Sequence, residues 1–381
     1  MKDRRRNLIF CLVSLAISAG LMFLPGFTGL NASPAPREKV EVLSVDNSTL
    51  VKIGVVYADT QRCRVRILTG DHAGEEADAG NYMNSALDKD KLFQPGDVAL
   101  AMVHAPEGGA VTATMIDHYR LDSIGLLFGL FGLLLIVFGG ISGFGSLISL
   151  VLSVMLVWKV LVPLMLMGWP PIPVTLLIVT FLTAMIDFLV AGFTRRALIA
   201  LAGSLMGTFL TCALAIWFGN LLKIDGGSLP YVVPLIAQSG MKINLKELFF
   251  SMVFLANSGA LMDLSMDIAS ASEEICRHNP AVGRKALLLS AFSVGRSVIG
   301  TMTTTLMLAY SGSYLSLMMY FAGQGTPVID VVNLKYVASE ILTTLVGSFG
   351  LVTVAPFTAV AAAAVLTSSR RARTGTAPAP E

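Results

Sequence analysis

From residue 122 to residue 366 the chain is an almost unbroken series of apolar stretches. A helix needs ~20 mostly apolar residues to cross the hydrocarbon core of a bilayer. Seven stretches of that kind lie near residues 123–141, 145–166, 172–192, 197–219, 248–268, 286–310 and 337–366, and an eighth precedes them near 8–24. Composition points the same way. Charged residues make up 14% of the 381 and the mean hydropathy is +0.72, whereas a soluble domain carries about a quarter charged residues. So little charge cannot cover a globular surface, which excludes an ordinary cytosolic enzyme and a disordered chain. The net charge of +2 gives no argument for a nucleic-acid partner.

The expected fold is therefore an α-helical polytopic membrane protein of about eight spans. A polar insert at residues 31–121 separates an N-terminal anchor (1–30) from a seven-helix membrane domain (122–366). Residues 367–381 read as a disordered cytoplasmic tail. Lys and Arg in short connections set orientation. With the N-terminus inside, the cytoplasmic pieces hold Lys2, Arg4, Arg5, Arg6, Arg195, Arg196, Arg277, Arg284, Lys285, Arg370, Arg371 and Arg373, twelve in all. The opposite side holds four: Lys223, Lys242, Lys246 and Lys335. Both termini are thus expected in the cytoplasm, with residues 32–121 outside. The first segment has a rival reading. A basic start, an apolar stretch and Asn31-Ala32-Ser33 also describe a cleaved signal peptide. Cys63 lies outside and Cys276 inside, with Cys11 and Cys212 in spans, so no intrachain disulfide is expected.

The insert reads as β structure. Lys39–Asp46, Leu50–Asp59, Gln61–Gly70, Asp97–His104 and Ala110–Tyr119 are candidate strands. Arg62-Cys63-Arg64-Val65-Arg66-Ile67 alternates strictly, as a half-buried strand does. Five short strands in so few residues predict a small OB-like barrel, with Asp71–Asp90 as a mobile acidic loop carrying one short helix. The arginine row is either a solvated strand face or a contact for an anionic ligand. His72, His104 and His118 do not fall at metal-ligand spacing, and no metal or other cofactor is expected.

An ionisable side chain inside a span costs ~2.5–3.5 kcal/mol even on a mild scale, so such groups mark ion or substrate paths. The candidates here are Asp187, Asp263, Asp267, Arg296 and Glu340, with Asn257 as a neutral companion and Lys159 as a residue able to snorkel outward. Asp263 and Asp267 are four apart and share a helix face. Ala256, Gly259, Ser270 and Glu274 continue that stripe. Two adjacent carboxylates repel when both are ionised, so the pair could hold a proton or share a cation. Arg296 cannot lose its proton and needs a counter-charge, for which Asp263, Asp187 and Glu340 are the candidates. Two connections look like broken helices that act as gates. One contains Pro230 and Pro234; the other contains Gly323, Gln324, Gly325 and Pro327.

Enzyme signatures fail. Gly140-Ile141-Ser142-Gly143 matches the GxSG of rhomboid proteases, but His72, His104, His118 and His278 all lie outside the spans, which leaves that serine without a base. Walker A and HExxH patterns do not occur. The block Gly259–Ser270, the block Gly300-Thr301-Met302-Thr303-Thr304-Thr305-Leu306 with Leu308-Ala309-Tyr310, and Gly347–Leu351 followed by Pro356 together resemble the YibE/F-like family of bacterial multi-span proteins. The resemblance departs at Thr303-Thr304, where the family pattern has an asparagine. It implies the order anchor, external β domain, hydrophobic region. The expected function is a secondary transporter or permease for a small solute or ion. The alternative is a non-transporting assembly or signalling component whose β domain binds an extracytoplasmic protein. Besides the lipid bilayer, a second copy of the chain is a candidate partner.

Overall fold

The computed structural model describes residues 2–23, 35–106, 109–237 and 243–374. The chain divides into two compact units: Thr28–Leu134, and Met1–Phe27 together with Leu135–Glu381. The proposed cleavage residues Asn31-Ala32-Ser33, the tail beyond residue 374 and Lys242 lie outside the described residues.

The smaller unit is built on seven strands: β1 (Arg37–Asp46), β2 (Val51–Ile53), β3 (Val56–Ala58), β4 (Thr60–Ile67), β5 (Glu76–Tyr82), β6 (Val98–His104) and β7 (Thr112–His118). Five of them close a barrel in the order β1-β4-β5-β7-β6. Only the β5–β7 pairing is parallel. Alternation decides what faces inward: Cys63, Val65 and Ile67 of β4 join Val40, Val42, Ala99, Ala101 and Val103 in a core capped by Phe93. Gln61 is fully buried at one end of this core. Its amide donates to Asn47 Oδ1 and to the Phe93 carbonyl, and its Oε1 accepts from Phe93 N and Asn81 Nδ2, each at 2.9–3.0 Å.

Two expectations are corrected here. Leu50–Asp59 is not a barrel strand; it folds as the separate β2–β3 hairpin. The fifth barrel strand is instead β5, inside the segment expected to be an acidic mobile loop with a short helix. Its inward residues are the small Ala77, Ala79 and Asn81, which fit a narrow interior but carry little strand propensity. Its outward acids answer the arginines of β4. Arg64 Nε lies 3.0 Å from Glu76, and Arg66 reaches both Glu76 and Glu41 at 3.7 Å. The arginine row is therefore a solvated face matched by cross-strand carboxylates, and no anionic ligand need be invoked for it.

Cys63 has a testable chemistry. Burial pushes its thiol up to about 11, and the side chain is 4% exposed. Thiolate is the reactive form. In the folded protein Cys63 should therefore resist a disulfide-exchange reagent from pH 7 through pH 9 and react promptly once denaturant is added; time courses of labelling at both pH values check this.

The larger unit is helical: α1 (Lys2–Phe23), α2 (Leu121–Leu156), α3 (Val162–Leu166), α4 (Pro171–Ala191), α5 (Arg195–Leu221), α6 (Val232–Ala237), α7 (Leu245–His278), α8 (Arg284–Ser313), α9 (Leu315–Gly323), α10 (Val328–Asn333) and α11 (Lys335–Thr374). The first turns of α2 belong to the smaller unit, and a π-helical turn at Val157–Leu161 joins α2 to α3. Among the described residues six helices are long and apolar enough to cross a membrane: Leu121–Leu166, Pro171–Ala191, Arg195–Leu221, Leu245–His278, Arg284–Gly312 and Lys335–Thr367. Six helices meet this test of length and composition where eight spans are expected, for two reasons. The described apolar part of α1, Phe10–Phe23, is short, and the two stretches expected at 123–141 and 145–166 form one element. That element is broken at Gly140, whose φ of 53° and ψ of −128° are open to glycine alone. A Cβ at Gly143 would strike the Leu135 carbonyl. Residues eight apart on a straight helix are about 12 Å apart, so the chain doubles back there.

Close approach is the rule among α5, α7 and α11, the centre of the unit. A Cβ at Gly203 of α5 would strike Thr358 of α11, one at Gly350 of α11 would strike Thr211 of α5, and one at Gly347 would strike Asn257 of α7. Small residues let backbones pack where apolar side chains gain nothing from leaving lipid. α4 packs on α5 and α7, and α8 on α7 and α11. At its far end α11 continues as helix through Thr374, into the stretch expected to be a disordered tail.

Candidate functional site

The site starts from α7. Asn244 caps it, its Oδ1 accepting from Glu247 N at 3.2 Å. Leu261, Leu264 and Ile268 are buried completely against α8 and α11, and Phe254 against α4 and α5. The opposite face carries Ala256, Gly259, Asp263 and Asp267, all exposed. Nothing lies within 4 Å of a Cβ built on Gly259. The acidic stripe therefore opens onto space rather than onto a neighbouring helix of the same chain.

Asp187 lies on α4 and is 2% exposed. Its carboxylate is within electrostatic reach of Asp263, and Asp263 within reach of Asp267. The three acids thus run from the interior of the bundle to its open face. Asp187 Oδ2 has no hydrogen-bond partner among the described residues. Neither do Thr183 Oγ1 and Thr175 Oγ1, one on each side of a buried Val179 on the same helix. Thr208, Thr211 and Thr358 close their hydroxyls onto the carbonyl four residues back. The α4 threonines do not. A row of unsatisfied polar oxygens some 18 Å long, counted from Thr175 to Asp187 at 1.5 Å per residue, runs through an otherwise apolar core. Each such group costs about 1–3 kcal/mol when dry. Thr175 and Thr183 are neutral, so a search for charge in the spans passes over them; their spacing of twelve and four residues from Asp187, on one helix face, is the signal that finds them.

A second cluster forms where α7, α8 and α11 meet. Asn257 is 1% exposed. Its Nδ2 donates to the Val253 carbonyl at 2.7 Å, and its Oδ1 accepts from the Tyr310 hydroxyl at 3.2 Å. Tyr314 lies within electrostatic reach of the Glu340 carboxylate, whose Oε1 is buried and has no hydrogen-bond partner among the described residues. The two tyrosines were not expected; both follow Gly300–Thr305 on α8 and look, in sequence, like ordinary aromatic residues near a helix end.

Arg296 departs from expectation. It lies on the exposed face of α8 with Ser293, Ser297, Gly300 and Thr304. Among the described residues no ion pair joins it to Asp187, Asp263 or Glu340. The reason is geometric: Gly295 takes the position that faces Ile268 of α7 and Ala355 of α11, and its neighbour points away from the bundle. Lys159 sits in the π-helical turn.

The expected gate residues occupy turns and short helices. Pro230 precedes α6 and Pro234 lies within it; the chain before them is held by Lys335 Nζ to Asp225 Oδ2 at 2.8 Å and by Ser228 Oγ to Ser339 Oγ at 2.8 Å. The lysine holds the Asp225 carboxyl below its usual range. Gly323 ends α9, Gln324 and Gly325 turn the chain, and Pro327 begins α10. All three helices are too short to cross a bilayer. No group of three or more His, Cys, Asp or Glu among the described residues is placed to share a metal ion.

The family described as YibE/F-like protein matches residues 127–368, more than half of the chain. No curated protein and no solved structure matches it. The chain belongs to the YibE/F-like family and, with its six long apolar helices, is a membrane protein.

Proposed function

We propose that this YibE/F-like protein is a secondary transporter or permease of the bacterial cytoplasmic membrane, driven by protons moving along its acidic residues. The observation that carries the reading is the α4 row. Thr175, Thr183 and Asp187 present buried oxygens with no partner among the described residues, and Asp263, within electrostatic reach of Asp187, lies on the open face of α7. Unpaired polar groups in a dry bundle are a cost that function explains better than stability does. Asp187 would carry the proton, Asp263 and Asp267 would exchange it at the open face, and the short helices α6, α9 and α10 would gate a solute. The reading takes a proton rather than a metal ion as the coupling ion, because a carboxylate that exchanges a proton needs no convergent set of ligands.

The topology fits this reading. The fold-back at Gly140 makes two crossings of α2, and α1 with α4, α5, α7, α8 and α11 brings the number to eight. The twelve-to-four bias of Lys and Arg supports an orientation with both termini in the cytoplasm and the barrel outside. The test is proton entry into proteoliposomes loaded with a pH-sensitive dye. Asp263→Asn should slow entry well below the parent; equal rates would remove Asp263 from the mechanism.

A second reading, a membrane assembly component, is favoured by Arg296. An exposed arginine midway along a membrane helix needs an acidic or aqueous surrounding, and the α7 face of a second copy offers Asp263 and Asp267. Mass photometry of the protein in nanodiscs should then show an oligomer for the parent and a monomer for Arg296→Gln. An unchanged mass would leave the assembly reading without support.

A further inference from the structure

The second cluster opens into a cavity of about 300 Å³ walled by α8, α9, α10 and α11. Met307, Leu317, Met318 and Phe321 supply apolar and aromatic walls, and Glu340 and Tyr314 supply the principal polar groups. Tyr314 stands on the same wall, within electrostatic reach of Glu340. One oxygen of that carboxylate, Oε1, is buried and has no hydrogen-bond partner among the described residues. Ser311, also on the wall, spends its hydroxyl on the Leu308 carbonyl at 3.1 Å.

These facts narrow the occupant. An anion is opposed by the carboxylate. A wholly apolar chain would leave the charge of the Glu340 carboxylate unmatched in an apolar wall, which costs free energy. A bare metal ion needs several oxygens, six to eight for calcium, and the cavity offers one carboxylate with three hydroxyls, one of them spent on a carbonyl. An organic ammonium with an apolar body meets every feature: its charge answers the Glu340 carboxylate on the wall and rests near Tyr314 and Phe321, whose ring faces attract cations, and its body fills the Met-rich wall. We propose that the cavity between α8 and α9–α11 is a binding site for an amphipathic organic monocation, anchored by Glu340. Binding stands on the cavity alone; that the bound cation is cargo rests on the transport reading above.

The experiment is equilibrium dialysis of radiolabelled 2-phenylethylammonium against the full-length protein in nanodiscs, with empty nanodiscs as the blank. Saturable binding is expected. Glu340→Gln keeps the size but loses the charge, and should weaken binding more than about tenfold, as removing one partner of a buried charge pair does. The neutral isostere 2-phenylethanol should compete poorly on the unmodified protein, a comparison that holds even where the variant does not fold. Equal binding by Glu340→Gln, or equal competition by the alcohol, overturns the proposal. Proton flux by the parent separates the two readings. Binding without flux upholds the site and removes the transport reading, whereas flux without binding overturns the site alone.

Discussion

Asp187→Asn should nearly abolish proton movement through the protein while leaving the fold as stable as the parent or more so. Asparagine matches aspartate in size and fits the same pocket on α4, where the side chain is 2% exposed. It cannot take up and release a proton. Removing a positioned proton carrier costs rate on the order of a hundredfold. Stability should move the other way, because the carboxylate has an unpartnered oxygen to lose and a buried charge without a partner is a liability. A structural ion pair predicts the reverse pattern, with a lower melting temperature. Flux and thermal unfolding, measured on one preparation, distinguish the two.

Gly347→Val should damage the fold itself. A Cβ there meets the Asn257 amide, so α11 must retreat from α7 and the Tyr310–Asn257 hydrogen bond must break. Forcing bulk into a filled core costs about 1–3 kcal/mol, and the lost hydrogen bond adds to it. The thermal midpoint should drop by several degrees. Gly259→Val is the internal comparison. It lies on α7 two positions from Asn257 but on the open face, with nothing within 4 Å of its Cβ, and it should leave the midpoint nearly unchanged. Equal losses at the two positions would mean that helix propensity, rather than approach of α11 to α7, sets the effect.

What the amino-acid sequence reveals follows from how each feature is encoded. Hydropathy places the six long helices, because a bilayer-length apolar run has few other meanings. Alternation places β4, because arginine and aliphatic residues differ so strongly in burial. β5 escapes, because Glu76-Ala77-Asp78-Ala79 reads as a polar loop until the β4 arginines are seen beside it. The fold-back at Gly140 escapes, because one glycine among many carries no local mark of its positive φ. The Asp263–Asp267 stripe is legible as spacing on one helix. The α4 row and the Glu340–Tyr314 contact are not, since the first depends on which hydroxyls stay unsatisfied and the second joins residues 26 positions apart. Arg296 shows the limit most clearly. A charge in a span demands a partner, but nothing in the sequence says whether that partner lies in the same chain.

The central claim is that Asp187 and Asp263 form one proton path, and a double-variant comparison tests it most directly. Proton entry into proteoliposomes is measured for the parent, Asp187→Asn, Asp263→Asn and the two combined. Residues that act as a unit are non-additive, so each single change should stop most of the entry and the combination should be no slower than the worse single change. Entry at the parental rate in either single variant, or losses that multiply in the combination, would contradict a shared path.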